Sequence, residues 1–93
     1  MILAYILTNS AIEAEDIAID LLQKKLVYSI NIISNVKSMR QEDNEIIKID
    51  WTILLAKTKA LFFTELEEEV QRVQTTGTAI VFSMPLTQMS QDL

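Results

Sequence analysis

The chain has 93 residues, enough for one small domain, and 49% of them are hydrophobic, which is typical of a globular protein and excludes a disordered chain. It contains no cysteine and no histidine, which excludes disulfides, thiol chemistry and histidine-based metal sites or general-base catalysis. With a net charge of −5 and no apolar run near the roughly 18 residues that span a membrane, neither nucleic acid nor a membrane is expected as a partner.

The first part of the chain predicts a strand followed by a helix. Residues 2–7 are a continuous apolar run, typical of a central strand with both faces buried. Ser10 and Glu13 then match a capping box, and apolar residues follow at helical spacing, so we expect a helix over about residues 10–25. No basic region precedes the strand, which predicts no signal peptide and a cytoplasmic protein.

The middle of the chain predicts a long β-hairpin. Apolar and polar residues alternate over residues 27–36 and again over residues 45–57, as in strands with one buried face. The pattern predicts that Ile30, Ile32 and Val36 share one face. Residues 38–44, three of which are charged, are expected to form the turn. Both strands exceed the usual length of about five or six residues. A hairpin this long is expected to project from so small a domain and to contact a partner subunit.

The last part of the chain predicts a second helix and a final strand. Apolar residues at helical spacing indicate a helix over about residues 59–74, and Gly77, the only glycine, follows where a helix stop is expected. Residues 78–84 predict a strand with Ile80, Phe82 and Met84 on one face, ended by Pro85. Residues 86–93 are expected to be a loose tail of a single domain that spans residues 1–93.

The predicted order of elements is β-α-β-β-α-β, the α+β arrangement of ferredoxin-like domains. Right-handed crossovers place both helices on one face of a four-stranded antiparallel sheet, with the first and third strands central. A chain of this length has nothing left to cover the other face, so we expect oligomerisation to cover it.

Four short segments follow one another along the chain: residues 28–32 (YSINI), 36–38 (VKS), 55–58 (LAKT) and 66–70 (LEEEV). In this order they resemble the A-C-V-N-I, V-x-S, strand-closing K-T and L-x-x-x-V patterns of the CutA family of divalent-ion tolerance proteins. The resemblance covers about residues 3–86. It implies a ferredoxin-like homotrimer whose long hairpins pair across subunits, and a regulatory or binding role in tolerance of divalent cations such as copper.

The chain departs from the family where copper ligands are usually placed. The family's half-buried cysteine falls at Ser29, its Y-x-W-x-G segment at residues 40–44, and its H-P-Y-x-V-P signature near residues 74–79, with none of the marked residues kept. Copper binding is therefore not implied residue by residue. Two alternatives stay open: a structural or interaction trimer that has lost metal binding, and a PII-like signalling trimer, although residues 34–44 lack the glycine of a nucleotide loop.

The candidate metal ligands are the carboxylates of Glu42, Asp43 and Glu45 in the predicted turn. Carboxylate oxygens suit a hard divalent cation. The alternative is a solvated, charged turn with no ligand.

The candidate binding residues are placed in the clefts that the resemblance implies between subunits. They are Asn31, Lys57, Thr58 and Gln74. Lys57 and Thr58 are predicted to lie beside the start of the second helix, where free amides can hold an anion. The alternative for Lys57 is a salt bridge with an acid at a subunit boundary. The alternative for Asn31 is a hydrogen bond within the interface between subunits. No Ser/His/Asp set or glycine-rich phosphate loop predicts catalysis.

Overall fold

The computed structural model describes residues 1–75 and 79–90. Its elements are β1 (Ile2–Thr8), α1 (Ala11–Gln23), β2 (Ser29–Glu42), β3 (Glu45–Thr58), a 3₁₀ turn (Ala60–Phe62), α2 (Phe63–Val73) and β4 (Ile80–Pro85). The four strands pair in the order β2-β3-β1-β4, with every pair antiparallel. The predicted central position of β1 and β3 is confirmed. Among the described residues, no helix has the length and apolar character needed to cross a membrane.

Both helices lie against one face of the sheet, where the main core sits. The largest fully buried apolar side chains of this core come from both helices and both central strands: Ile6, Ile17, Leu21, Leu54, Leu66 and Val70. At the start of α1, the hydroxyl of Ser10 accepts a hydrogen bond from the Glu13 amide at 3.1 Å, so the predicted N-cap is confirmed. The buried Glu13 carboxylate accepts from the Thr75 amide at 2.9 Å, which ties the start of α1 to the segment after α2.

The end of α1 forms a Schellman motif. The Leu26 amide donates to the Leu21 carbonyl at 3.0 Å, and the Lys25 amide donates to the Leu22 carbonyl at 3.1 Å. This geometry requires a left-handed residue just after the helix, and Lys25 adopts it with φ 58°. Leu21 and Leu26 are buried in the same core cluster, as the motif favours. The chain therefore reverses into β2 without a glycine.

The turn of the hairpin is shorter than predicted. β2 continues to Glu42 and β3 begins at Glu45, so the turn consists of Asp43 and Asn44 rather than residues 38–44. Both turn residues have positive φ, 49° and 67°, as two-residue hairpin turns of type I′ require, and Asp and Asn tolerate this conformation. The prediction of a longer turn is wrong because charged side chains on an exposed ribbon stay solvated while the backbone remains paired.

A bulge in β2 changes which residues share a face. Regular pairing stops at Ile33 and resumes at Val36, so three steps along β2 match two steps along β3. Asn35, inside this irregularity, has φ 60°. The extra residue moves Val36 to the opposite side of the strand, so the prediction that it shares a face with Ile30 and Ile32 is wrong.

The second face of the sheet has no helix over it in the described part of the chain, and we call it the open face. A small cluster of Leu7, Trp51 and Ile53 lies at its centre. The edge strand β4 adds Ile80, Phe82 and Met84, which share this face as predicted. The rings of Tyr5 and Phe82 lie 5.8 Å apart between centroids, which extends the apolar surface to the sheet edge.

The outer half of the hairpin, residues 36–51, projects beyond the body, and we call it the arm. β1 pairs with β3 only over residues 52–58, so within the described chain residues 45–51 pair with β2 alone. The molecule measures 45 × 29 × 21 Å, with a Cα radius of gyration of 14.1 Å. A compact chain of this length is expected to have about 12 Å. The predicted overhang of the hairpin is confirmed.

Candidate functional site

The structure places Lys57 and Thr58 on opposite faces of the sheet. Thr58 is fully buried on the helix side, where its hydroxyl donates to the Leu26 carbonyl at 2.6 Å. Lys57 is half-buried on the other side and lies opposite Ser29. The 3₁₀ turn also separates Thr58 from the start of α2. The two residues therefore do not form one anion site within a single chain, and their role in binding stays a prediction.

Asn31 and Gln74 are also separate from each other. Asn31 is exposed on the edge strand β2, opposite Leu55 and on the same face as Lys57. Gln74 follows α2, and its buried Oε1 has no hydrogen-bond partner among the described residues. None of the three pockets described below is lined by a predicted binding residue. A cleft that contains these residues would have to include another subunit.

The predicted metal ligands lie together at the tip of the arm. Glu42 and Glu45 are directly opposite each other, Asp43 follows in the turn, and all three are exposed. Glu42 accepts a hydrogen bond from Arg40 Nε at 2.9 Å. In residues 1–75 and 79–90, no group of three or more Asp, Glu, His or Cys side chains is placed to hold a metal ion. Metal binding at the tip stays a prediction, and it would need ligands from more than one chain.

Two apolar hollows lie on the open face. One, of about 240 Å³, forms where the arm meets the sheet and is lined by Trp51, Ile49 and Ile80, with Arg40 at its side. The other, of about 440 Å³, lies over Tyr5, Phe82 and Met84. Apolar surfaces of this kind suit protein side chains better than a metal ion.

A third pocket, of about 510 Å³, lies at the base of the hairpin, and we call it the base pocket. Its lining comes from the α1–β2 connection and the β3–α2 connection: Leu22, Lys25, Leu26, Val27, Tyr28, Lys59 and Phe62. Sequence reasoning missed this pocket because the two connections meet only in the folded chain.

The densest group of charges links the two helices. Asp20 contacts Lys24 at 3.4 Å and Arg72 at 3.1 Å, and both cations also hydrogen-bond Glu69. Donation from Arg72, and then from Lys24, lowers the pKa of Glu69 to about 2. The same bonds to Glu69 raise the pKa of Lys24 and of Arg72. Because its cations already pair with its acids, this group is a structural link between helices.

The sheet order and the two helices on one face define a ferredoxin-like α+β domain. The projecting arm is an addition to that domain. The model of the CutA1 divalent ion tolerance proteins matches residues 2–93. The chain belongs to the CutA1 family, and both the resemblance and the fold predicted from it are confirmed.

Solved structures of CutA1 proteins share this fold. The periplasmic divalent cation tolerance protein CutA from Archaeoglobus fulgidus is 29% identical, with a TM-score of 0.84 over 99% of this chain and 90% of that one. The divalent cation tolerance protein from Thermus thermophilus is 22% identical, with a TM-score of 0.83 over 99% and 90%. CutA1 from Oryza sativa is 18% identical, with a TM-score of 0.85 over 98% of this chain and 84% of that one. At these low identities, the similarity to the last two structures shows the fold alone. A comparison with curated proteins finds no match.

Proposed function

We propose that this protein is a self-assembling binding module that contributes to divalent cation tolerance, and that its working form is a cytoplasmic homotrimer without enzymatic activity. The observation that carries the proposal is the arm. It is a long two-stranded ribbon that has no third strand within the described chain.

In an isolated chain, the arm lacks the packing that a two-stranded hairpin needs for stability. A two-stranded hairpin is marginally stable in water unless another strand or surface supports it. The side chains of Met39 and Ile46 are 61% and 59% exposed, so apolar surface faces solvent along the arm. Pairing with the arm or sheet edge of another copy supplies both the missing hydrogen bonds and the missing burial.

The open face supports the same assembly. Phe82, Met84, Ile80 and Ile33 are all exposed on it, next to the buried cluster around Trp51. A continuous apolar surface on one side of a sheet is typical of an interface between subunits. A closed ring of copies covers every open face and leaves no free surface for further growth.

The proposed cation is held by carboxylates contributed by several copies. One chain offers no cysteine or histidine, so apart from the thioethers of its four methionines its side-chain ligands for a metal ion are hard oxygen atoms. The acidic tip of the arm, Glu42, Asp43 and Glu45, supplies three carboxylates that do not converge within one described chain. Assembly brings the carboxylates of several arm tips into one oligomer. Copper enters this proposal through the family resemblance alone, and a trimer that has lost metal binding is the second candidate.

The assembly is tested by placing a charge on the arm. Ile46→Lys puts an ammonium group at an exposed apolar position of the arm, on the face that also carries Met39. Ile12→Lys adds the same charge on α1, where Ile12 is 77% exposed. We expect the first variant to lower the solution mass measured by light scattering and the second to leave it unchanged. Equal masses for both variants would contradict an interface at the arm.

The cation is tested by calorimetric titration with copper, zinc and calcium, separately. The control is a variant with Glu42→Gln and Glu45→Gln, which keeps the size of both side chains and removes their negative charges. Heat of binding in the native chain that is lost in the variant supports the tip as the site. No heat with any of the three ions favours the structural trimer.

A further inference from the structure

The base pocket is a concave site with two cations and no acid. Its volume of about 510 Å³ is within the range of small-molecule pockets, roughly 300–1,000 Å³. Its lining is apolar apart from Lys25, Lys59 and the Tyr28 phenol. The chain has a net charge of −5, so the positive charge of this pocket is opposite in sign to that of the chain as a whole.

Backbone hydrogen bonds hold the walls of the pocket in place. The Tyr28 amide donates to the Lys57 carbonyl at 2.9 Å, and the Phe62 amide donates to the Lys59 carbonyl at 2.9 Å. The Leu26 carbonyl at the floor accepts the buried Thr58 hydroxyl. The pocket is therefore formed before any ligand arrives, which lowers the entropy lost on binding.

Lys25 adopts a left-handed backbone conformation, with φ 58°, which is unfavourable for a residue that carries a side chain. The other described non-glycine residues with positive φ are Asn35, Asp43 and Asn44, which are types that tolerate the left-handed region. Lysine does not share that tolerance, and glycine is the usual residue at this point of a Schellman motif. What lysine adds there is an ammonium group beside the pocket.

Among the described residues, neither pocket lysine forms an ion pair with an acid. Within residues 1–75 and 79–90, Lys25 and Lys59 form no salt bridge, whereas Lys24 and Arg72 pair with acids. Lys59 Nζ lies 6.0 Å from the centre of the Phe62 ring, so its charge is held close to the apolar lining. Both charges are available to an anion.

We propose that the base pocket binds an amphipathic anion, a small carboxylic acid with an apolar body. The carboxylate is held by the ammonium groups of Lys25 and Lys59, and the apolar body packs on Leu22 and Phe62. The site lies at the opposite end of β2 from the arm tip. It is therefore independent of the proposed cation site.

The test is binding of octanoate, with 1-octanol as the neutral probe of the same length, measured by calorimetry or by NMR shifts of the full chain. Lys25→Gly and Lys59→Gln each remove one pocket charge, and Lys37→Gln removes a matched charge from the exposed arm. We expect each pocket variant to weaken octanoate binding by roughly threefold to tenfold, and added salt to weaken it further. The arm variant is expected to bind as the native chain does.

Lys25→Gly removes an unfavourable backbone conformation, so the variant is expected to fold. A urea titration checks this, and a loss of binding in the folded variant is then due to the missing ammonium group. Three results would overturn the proposal: octanoate that does not bind, octanol that binds as tightly as octanoate, or an arm variant that weakens binding as much as the pocket variants do. None of them depends on whether the chain binds a metal ion.

Discussion

The buried hydroxyl of Thr58 is expected to stabilise the connection between α1 and β2. In Thr58→Val the side chain keeps its shape but no longer donates to the Leu26 carbonyl, which it contacts at 2.6 Å in a fully buried site. A buried acceptor left without its partner costs about 1–3 kcal/mol of unfolding free energy. For a domain of this size, each kcal/mol corresponds to a fall in Tm of about 4–8 °C.

The assay is urea and thermal unfolding at one fixed protein concentration, because self-assembly makes the midpoint depend on concentration. Thr58→Ser is the matched control: it keeps the hydroxyl and removes one methyl group, at a cost of about 1 kcal/mol. We expect the valine variant to be the less stable of the two and to keep the native solution mass. A valine variant as stable as the native chain would refute the structural role of the hydroxyl.

Two further changes test the helix link and the Schellman motif. The pKa of Glu69 is about 2 in the folded chain against 4.5 for an ordinary glutamate, so its contribution is complete above about pH 4.5 and is lost as the pH falls toward 2. As the pH falls from 4.5 to 2, the unfolding free energy measured by urea titration should therefore decrease less in Glu69→Gln than in the native chain. An equal decrease in both proteins would contradict a stabilising role of Glu69 between the helices. Lys25→Gly relieves the left-handed lysine and should raise the unfolding free energy by up to about 1 kcal/mol, whereas a clear loss would contradict the Schellman assignment.

Sequence periodicity predicted the elements whose signals come from adjacent residues. The Ser10 cap, the apolar run of β1 and the alternation in β4 each depend on short-range patterns, and each element is found within one or two residues of its expected bounds. The expected start of the last strand at residue 78 and the expected helix stop at Gly77 lie outside the described residues. Helix and strand ends are the least certain part of any such assignment.

The bulge at Asn35 was not predictable from alternation alone. A bulge inserts one residue without changing the polar or apolar character of its neighbours, so the pattern continues while the faces exchange. The second helix shows a similar limit: it was expected from residue 59, but a 3₁₀ turn occupies Ala60–Phe62 before α2 begins. The bulge depends on how β2 pairs with β3 in the folded sheet.

The predicted binding residues do not form one site in the structure, because a single chain does not bring them together. Thr58 was selected for its position at a strand end, but its hydroxyl serves the fold. The base pocket, which no motif marks, is built where two connections meet. Its two lysines are 34 positions apart in the sequence, so no local pattern relates them.

The central claim is that the arm and the open face are assembly surfaces. It is tested most directly by the absolute solution mass of the native chain, measured by light scattering on a sizing column at several concentrations. The account predicts one stable species with the mass of three chains across the whole range. A monomer at every concentration would contradict it, because the unsupported arm and the apolar open face would then be exposed to water without a partner.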